Sequence, residues 1–224
     1  MLRFARRLGP MALLLGAACA SDEPAPLVAT APSLRTVQGQ VLISPRDPAL
    51  RVRVDDAYAF AGTQTFDLYG VARAEQFFFV NADAEGRVGR MYWFQFEAYL
   101  PDNEYTYDYP VTRAVEDGGT WFIADHDARN VAGDCERPDS DLCLATRFLE
   151  SRGYRMASDE VLSERLVHLI DKTCRAELMI VYAEAAPPGV TSAGLAEASG
   201  AEPHRTEIFE GVVQRAMKGF ELLR

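Results

Sequence analysis

"AEQFFFVNADAEGRVGRMYWFQFEAYL", residues 74–100, decides how the rest of the chain is read. Two runs dense in rings flank a polar stretch, 83–86, that closes on Gly86, which is hairpin chemistry. In the second run a strand puts Tyr92, Phe94, Phe96, Ala98 and Leu100 on one face and Met91, Trp93, Gln95, Glu97 and Tyr99 on the other. The first face is plain core. The second sets an amide and a carboxylate between a Trp and a Tyr. Two readings fit it. As a pocket wall, Trp93 and Tyr99 supply apolar surface while Gln95 and Glu97 orient a ligand. As a half-exposed rim, Glu97 pairs with a surface arginine such as Arg73 or Arg90. In the pocket, burial raises the Glu97 pKa, and Glu97→Leu is expected to cost little stability because an unpaired buried carboxylate is unfavourable.

Seventeen of the 23 aromatic residues fall between Tyr58 and Phe122, so the hairpin belongs to a sheet thick with rings. Further strands are predicted at 40–44, 51–55 and 65–70, at 104–109, where Tyr105, Tyr107 and Tyr109 alternate with polar residues, and at 118–125 after a Gly-Gly turn. Past Gly133 the period changes. Residues 138–154 carry a cap at Asp139 or Ser140, an apolar stripe of Leu142, Ala145 and Leu149, and a stop at Gly153, which predicts a helix. Residues 159–171 fit either a helix or the first arm of a hairpin. The hairpin is preferred because 176–185 is a clear strand and the gap is turn-sized. Residues 206–223 read as an amphipathic helix with Phe209, Val213, Met217 and Phe220 on one face. The fold class expected is α+β: an antiparallel, aromatic-rich sheet with helices packed on one face and a C-terminal amphipathic helix.

The N-terminus is basic (Arg3, Arg6, Arg7), then briefly apolar, then small-residued, the order of a secretory signal peptide over 1–18. "LGAAC", residues 15–19, resembles a bacterial lipobox, although Gly16 stands where a Leu is usual. The resemblance implies lipidation of Cys19 and, with Ala20 following, an outer-membrane address. Cleavage after Ala20 is the alternative. Residues 19–38, rich in Pro, Ala and Thr, have tether composition, and 39–224 is expected to form a single domain. A formal charge of −10 argues against a nucleic-acid partner.

Motifs for chemistry are sparse. Asp125, His126 and Asp127 alternate across a strand, so they do not converge on one metal. No HxH, HExxH, GxSxG, SxxK or glycine-rich phosphate loop occurs, and neither a metal nor a cofactor is expected. Cys174 with His168 is a remote nucleophile–base pair. His168 opposite Glu177 reads as a structural cross-strand pair, and no spacing selects Glu97 and Glu177 as a hydrolytic carboxylate pair. Three cysteines remain after processing. Cys135–Cys143 is the expected disulfide because a short loop closes readily; Cys143–Cys174 is the rival. The functional expectation is an exported, lipid-anchored envelope protein that binds a small apolar or amphipathic molecule at Trp93, Gln95, Glu97 and Tyr99. The alternatives are a ligand-free scaffold or partner-binding envelope subunit, and a carboxylate-dependent hydrolase.

Overall fold

A computed structural model describes residues 33–111, 113–170, 172–197 and 202–223. The signal peptide, Cys19 and most of the predicted tether lie outside them. The fold is dominated by antiparallel sheet, with a few helices and a cluster of rings at its centre.

The decisive hairpin is present. Strands β5 (Ala72–Ala82) and β6 (Arg87–Tyr99) pair antiparallel, with Phe79 opposite Tyr92 and Phe77 opposite Phe94. Gly86 takes φ +76° at the end of the loop, a conformation that a side chain resists. They form the middle of the larger sheet, which runs β4 (Ala59–Leu68), β5, β6, β11 (Ala176–Ala185), β10 (Glu160–Leu169), β8 (Thr120–Asn130), β7 (Ala114–Asp117). A two-residue strand, β9 (Arg155–Met156), adds in parallel to the start of β6. Strands β1 (Thr36–Gln38), β2 (Val41–Ser44), β3 (Leu50–Val54) and β12 (Phe220–Leu223) make a second, smaller sheet. Residues 160–185 are the hairpin, not the helix.

Both faces of the larger sheet are buried, which is why β6 is apolar on both. On one face Phe77, Phe79, Tyr92, Phe94, Phe96, Ile180 and Tyr182 pack with Leu42, Val52, Val54 and Leu222 of the smaller sheet and with Phe209, Val212 and Ala216 of α4 (Glu202–Lys218). On the other, Phe78, Met91, Trp93, Met179 and Val181 pack with Val131 of α1 (Val131–Asp134) and with Leu142, Ala145 and Leu149 of α2 (Asp141–Ser151). Helices thus lie on two faces, where one was expected. A short α3 (Ser192–Glu197) adds Leu195 to the first core.

Four expectations are corrected. The tether ends before residue 38, because Thr36–Gln38 pair with β2 and Val37 packs on the core. The C-terminal helical stretch stops at Lys218, and Phe220 enters a strand beside Val54 instead of extending the helical stripe. The tyrosine-rich stretch 104–109 is in no sheet; it crosses the sheet's end as irregular chain, with Tyr107 N–H donating to the Cys174 carbonyl. The β10–β11 register sets His168 opposite Leu178 and Leu169 opposite Glu177, so the His168–Glu177 pair does not form.

Local chemistry explains the helix starts. The Ser140 hydroxyl accepts from Cys143 N–H at the first turn of α2. Cys135 and Cys143 lie at disulfide distance, Cα to Cα 4.9 Å. Closing so short a loop is worth roughly 2–3 kcal/mol on the chain-entropy account. Cys174 is free.

The Tyr92 hydroxyl crosses the first core to donate to the Ala216 carbonyl at 2.6 Å, satisfying an acceptor in the last turn of α4. Gly219 lies against the same phenol: a Cβ there would sit 2.4 Å from the hydroxyl oxygen. Gly219→Ala is therefore expected to destabilise by about 1–3 kcal/mol through overpacking, and Tyr92→Phe by about 1 kcal/mol through the lost hydrogen bond. Urea unfolding of the two variants checks both values and their order.

Candidate functional site

The mixed face of β6 looks toward α2. Gln95 is fully buried, Trp93 is 4 % exposed and Glu97 7 %. The rim reading fails on burial and on partners, since Arg73 pairs with Asp67 and the Glu97 carboxylate accepts from other groups. The polar residues belong to a row of side chains running across three strands. Gln64, Gln76 and Gln95 stand opposite one another on β4, β5 and β6. Gln64 donates to Gln76 at 2.7 Å, Gln76 to Gln95 at 2.6 Å, and Gln95 to Glu97 Oε2 at 2.6 Å. The Tyr107 hydroxyl, from the irregular stretch, donates to Glu97 Oε1 at 2.7 Å. Oε2 thus ends a chain of three amide donors while Oε1 takes a single phenol, and aligned donors of this kind reinforce one another in a low-dielectric interior.

Glu97 faces a second glutamate. The β6–β11 register sets Glu97 opposite Glu177, which is 1 % exposed. Tyr109 donates to Glu177 Oε1 at 3.0 Å, and Oε2 is buried with no partner. Tyr107 and Tyr109 lie parallel, with Tyr99 stacked on Tyr107 at 4.4 Å, so three phenols close over the two carboxyls. Burial pushes Glu97 above the usual carboxylate range, against the opposing effect of Tyr107 and Gln95. Burial, followed by the charge of Glu97, pushes Glu177 up to about 8. Burial and the adjacent carboxylates also raise Tyr107 and Tyr109.

Farther along the same face is a cavity of about 250 Å³ between the start of α2 and the sheet. Trp93, Met179, Val181, Val161 and Leu142 form its apolar surface. Asp125, Arg165, Asp127, Arg129 and Asp141 form its polar rim. The arginines are occupied: Arg165 makes a two-pronged pair with Asp125, and Arg129 bonds Asp127 and faces Asp134. Trp93 Nε1 is buried and has no hydrogen-bond partner. Of the residues proposed from sequence, Trp93 lines this cavity. Gln95 and Glu97 belong to the hydrogen-bonded row beside it, and Tyr99 covers Tyr107. Sequence reasoning named Glu177 only opposite His168 and in a carboxylate pair that no spacing selected, and it gave Tyr107, Tyr109, Arg165 and Asp141 no part in a site. The strict alternation of Tyr105, Tyr107 and Tyr109 was the signal available for two of them.

Asp125 and Asp127 project to the cavity side of β8, while His126 stacks on Phe209 at 4.2 Å on the opposite face. Among the described residues no group of three or more His, Cys, Asp or Glu is placed to hold a metal ion, and no helix is long and apolar enough to cross a membrane. No protein-family model, curated protein or solved structure matches this chain.

Two stability predictions follow from the carboxyl pair. Glu97→Leu, expected from sequence to be tolerated, strands the Gln95 amide and the Tyr107 hydroxyl. Each buried donor left without an acceptor costs about 1–3 kcal/mol, so this variant is destabilising in chemical denaturation at neutral pH. The second concerns pH. A carboxyl whose folded pKa is raised binds its proton more tightly in the native state, so its contribution to stability is fully present below its unfolded pKa. It is lost as pH rises to the folded value, about 8 for Glu177. Glu177→Gln is expected to flatten the fall in stability between mildly acid and mildly alkaline pH, measured as unfolding free energy against pH.

Proposed function

We propose that this chain is an exported, lipid-anchored module of a bacterial cell envelope that binds a small amphipathic molecule in the cavity between α2 and the larger sheet. The observation that carries the binding reading is the Trp93 indole N–H, buried without a partner in a residue that lines an apolar cavity with a polar rim. A buried donor without an acceptor is unfavourable by about 1–3 kcal/mol, and a ligand acceptor placed against it removes that cost. At about 250 Å³ the cavity lies below the ~300–1,000 Å³ typical of ligand sites, which favours a small occupant. The anchor rests on the order of basic, apolar and small residues before Cys19 and on the tether composition after it. The membrane partner is then reached through lipid on Cys19. The carboxylate-hydrolase reading gains an opposed pair, Glu97 and Glu177, but both are buried and bonded to Tyr107 and Tyr109, and neither lines this cavity. A protein-partner role has no comparable support.

The test of binding uses the chain's two tryptophans. Trp121 is 64 % exposed, so Trp121→Phe leaves Trp93 as the reporter. A saturable change in Trp93 emission with a small amphipathic compound, accompanied by a rise in Tm, is expected. No saturable change across a diverse set at millimolar concentration overturns the reading. The test of export is mass spectrometry of the native N-terminus: loss of residues 1–18 with acyl chains on Cys19 is expected, and an unmodified chain beginning at Ser21 refutes the anchor.

A further inference from the structure

Among the described residues, the half-buried arginines are satisfied with one exception. Arg35, Arg73, Arg113, Arg129, Arg165 and Arg215 each meet a carboxylate. Arg175 donates to the carbonyls of Tyr105 and Leu100. Arg205, in the first turn of α4, is half-buried too and has neither kind of partner. Its guanidinium lies 5.4 Å from the centre of the Phe209 ring, and its Nε is buried without a hydrogen bond. A guanidinium that has lost part of its water and gained no counter-ion attracts an anion with less screening than a surface cation does. Helix stability does not account for the residue, because the positive end of a helix dipole disfavours a cation.

Arg205 lines an open cleft of about 500 Å³ between α4 and the β7–β8 edge of the larger sheet. Arg205, Phe209 and Val213 form one i, i+4 row of the helix along it, and Thr206, Glu210 and Gln214 form the next. Arg113 and His126 line it from the sheet side. Burial, then the charges of Arg205 and Arg113, lower the His126 pKa, so both guanidinium groups lie around that ring. Arg113 is held by the fully buried Glu164, yet its own side chain is 34 % exposed. A guanidinium has five donors, and those not taken by Glu164 remain for the cleft. The charged groups lining the cleft are thus two arginines and the exposed Glu210. That is a local excess of positive charge on the surface of a chain whose formal charge is −10.

We propose that this cleft is a second binding site, for a small organic carboxylate whose charge is held by Arg205 and Arg113 and whose apolar body lies against Val213 and the His126 ring. The inference goes beyond the binding reading above. Phe209 and α4 pack on the face of the larger sheet opposite to Trp93, so this site stands or falls without that cavity. A carboxylate suits it because its two oxygens match the planar fork of a guanidinium. The volume falls within the ~300–1,000 Å³ typical of ligand sites. The His126 ring, stacked on Phe209 at 4.2 Å, presents a flat surface to the body of the ligand.

The test uses the whole chain and three probes: phenylacetate, the uncharged phenylacetamide and inorganic phosphate. The His126 ring protons report binding by NMR, assigned among the chain's three histidines with His126→Asn. Phenylacetate is expected to shift them saturably and to bind at least about tenfold more tightly than phenylacetamide. Binding is expected to raise the His126 pKa, because the anion offsets Arg205 and Arg113, and therefore to strengthen as pH falls through that value. The other charged groups facing this ring are Asp125 and Asp127 on its own strand, Glu164 opposite it on β10 and Glu210 on α4. Arg205→Gln is expected to remove the preference for the acid while leaving the urea midpoint unchanged, and Arg205→Lys to keep part of it. Trp93 emission in the Trp121→Phe protein is expected to stay constant throughout. Equal binding of acid and amide, or a preference that survives Arg205→Gln, overturns the proposal. So does a response to phosphate alone, which would make the cleft a phosphate site, or no response of His126 to any probe at millimolar concentration. A response of Trp93 without one of His126 places the probe in the first cavity and likewise overturns the second site.

Discussion

Strand β6 is buried on both faces, and most of the structure follows from that constraint. Every side chain from Met91 to Glu97 is buried, so the strand needs a covering layer on each side. The smaller sheet and α4 supply one, α1 and α2 the other. A polar residue in such a strand has no access to water and must find its partners inside. Gln95 and Glu97 find them along the strand-to-strand direction, through Gln76 and Gln64, and from Tyr107 above. The row also reaches the helix layer, because Gln64 donates to the Leu144 carbonyl of α2 at 3.2 Å. A single hydrogen-bonded line thus runs from the edge of the sheet to its centre and ties α2 to it. Register follows as well, since slipping any of the three strands by one residue would turn its glutamine to the opposite face.

The hairpin over 74–100 was legible because its cues are local: ring-dense runs, a polar loop and a glycine at the turn. The α2 helix was legible for the same reason, with Ser140 as its cap and Leu142, Ala145 and Leu149 on its buried stripe. The Cys135–Cys143 pairing follows from proximity along the chain. The amphipathic stripe assigned to 206–223 went wrong at its end. Phe220 is apolar at a helical spacing from Phe209, but Gly219 precedes it, and pairing with Val54 draws it into a sheet. The tyrosine stretch misled because alternation is the mark of a strand. Here the alternate rings cover the Glu97–Glu177 pair, and no neighbouring strand lies alongside to complete a ladder.

The composition of the site was visible only in part. Trp93, Gln95 and Glu97 were conspicuous as polar and bulky groups sharing one strand face. Glu177 was not, since it lies 80 positions from Glu97 and only the β6–β11 register brings the two together. One residue of register separates the true neighbour Leu169 from the expected His168, and no local pattern in 159–185 distinguishes the two. What the sequence suggested as a single open wall is divided in the fold: Trp93 faces the cavity, while Gln95 and Glu97 are absorbed by internal hydrogen bonds.

The central claim is that Glu97 and Glu177 form a buried carboxyl pair without a cation of their own. Carbon NMR titration of their side-chain carboxyl groups in the unliganded protein tests it directly, with Glu97→Gln and Glu177→Gln used to assign the two signals. The account predicts that Glu177 titrates near 8 and Glu97 above the usual carboxylate range, and that Glu177 moves downward when Glu97 is replaced. Ordinary carboxylate titrations for both, independent of each other, would contradict it.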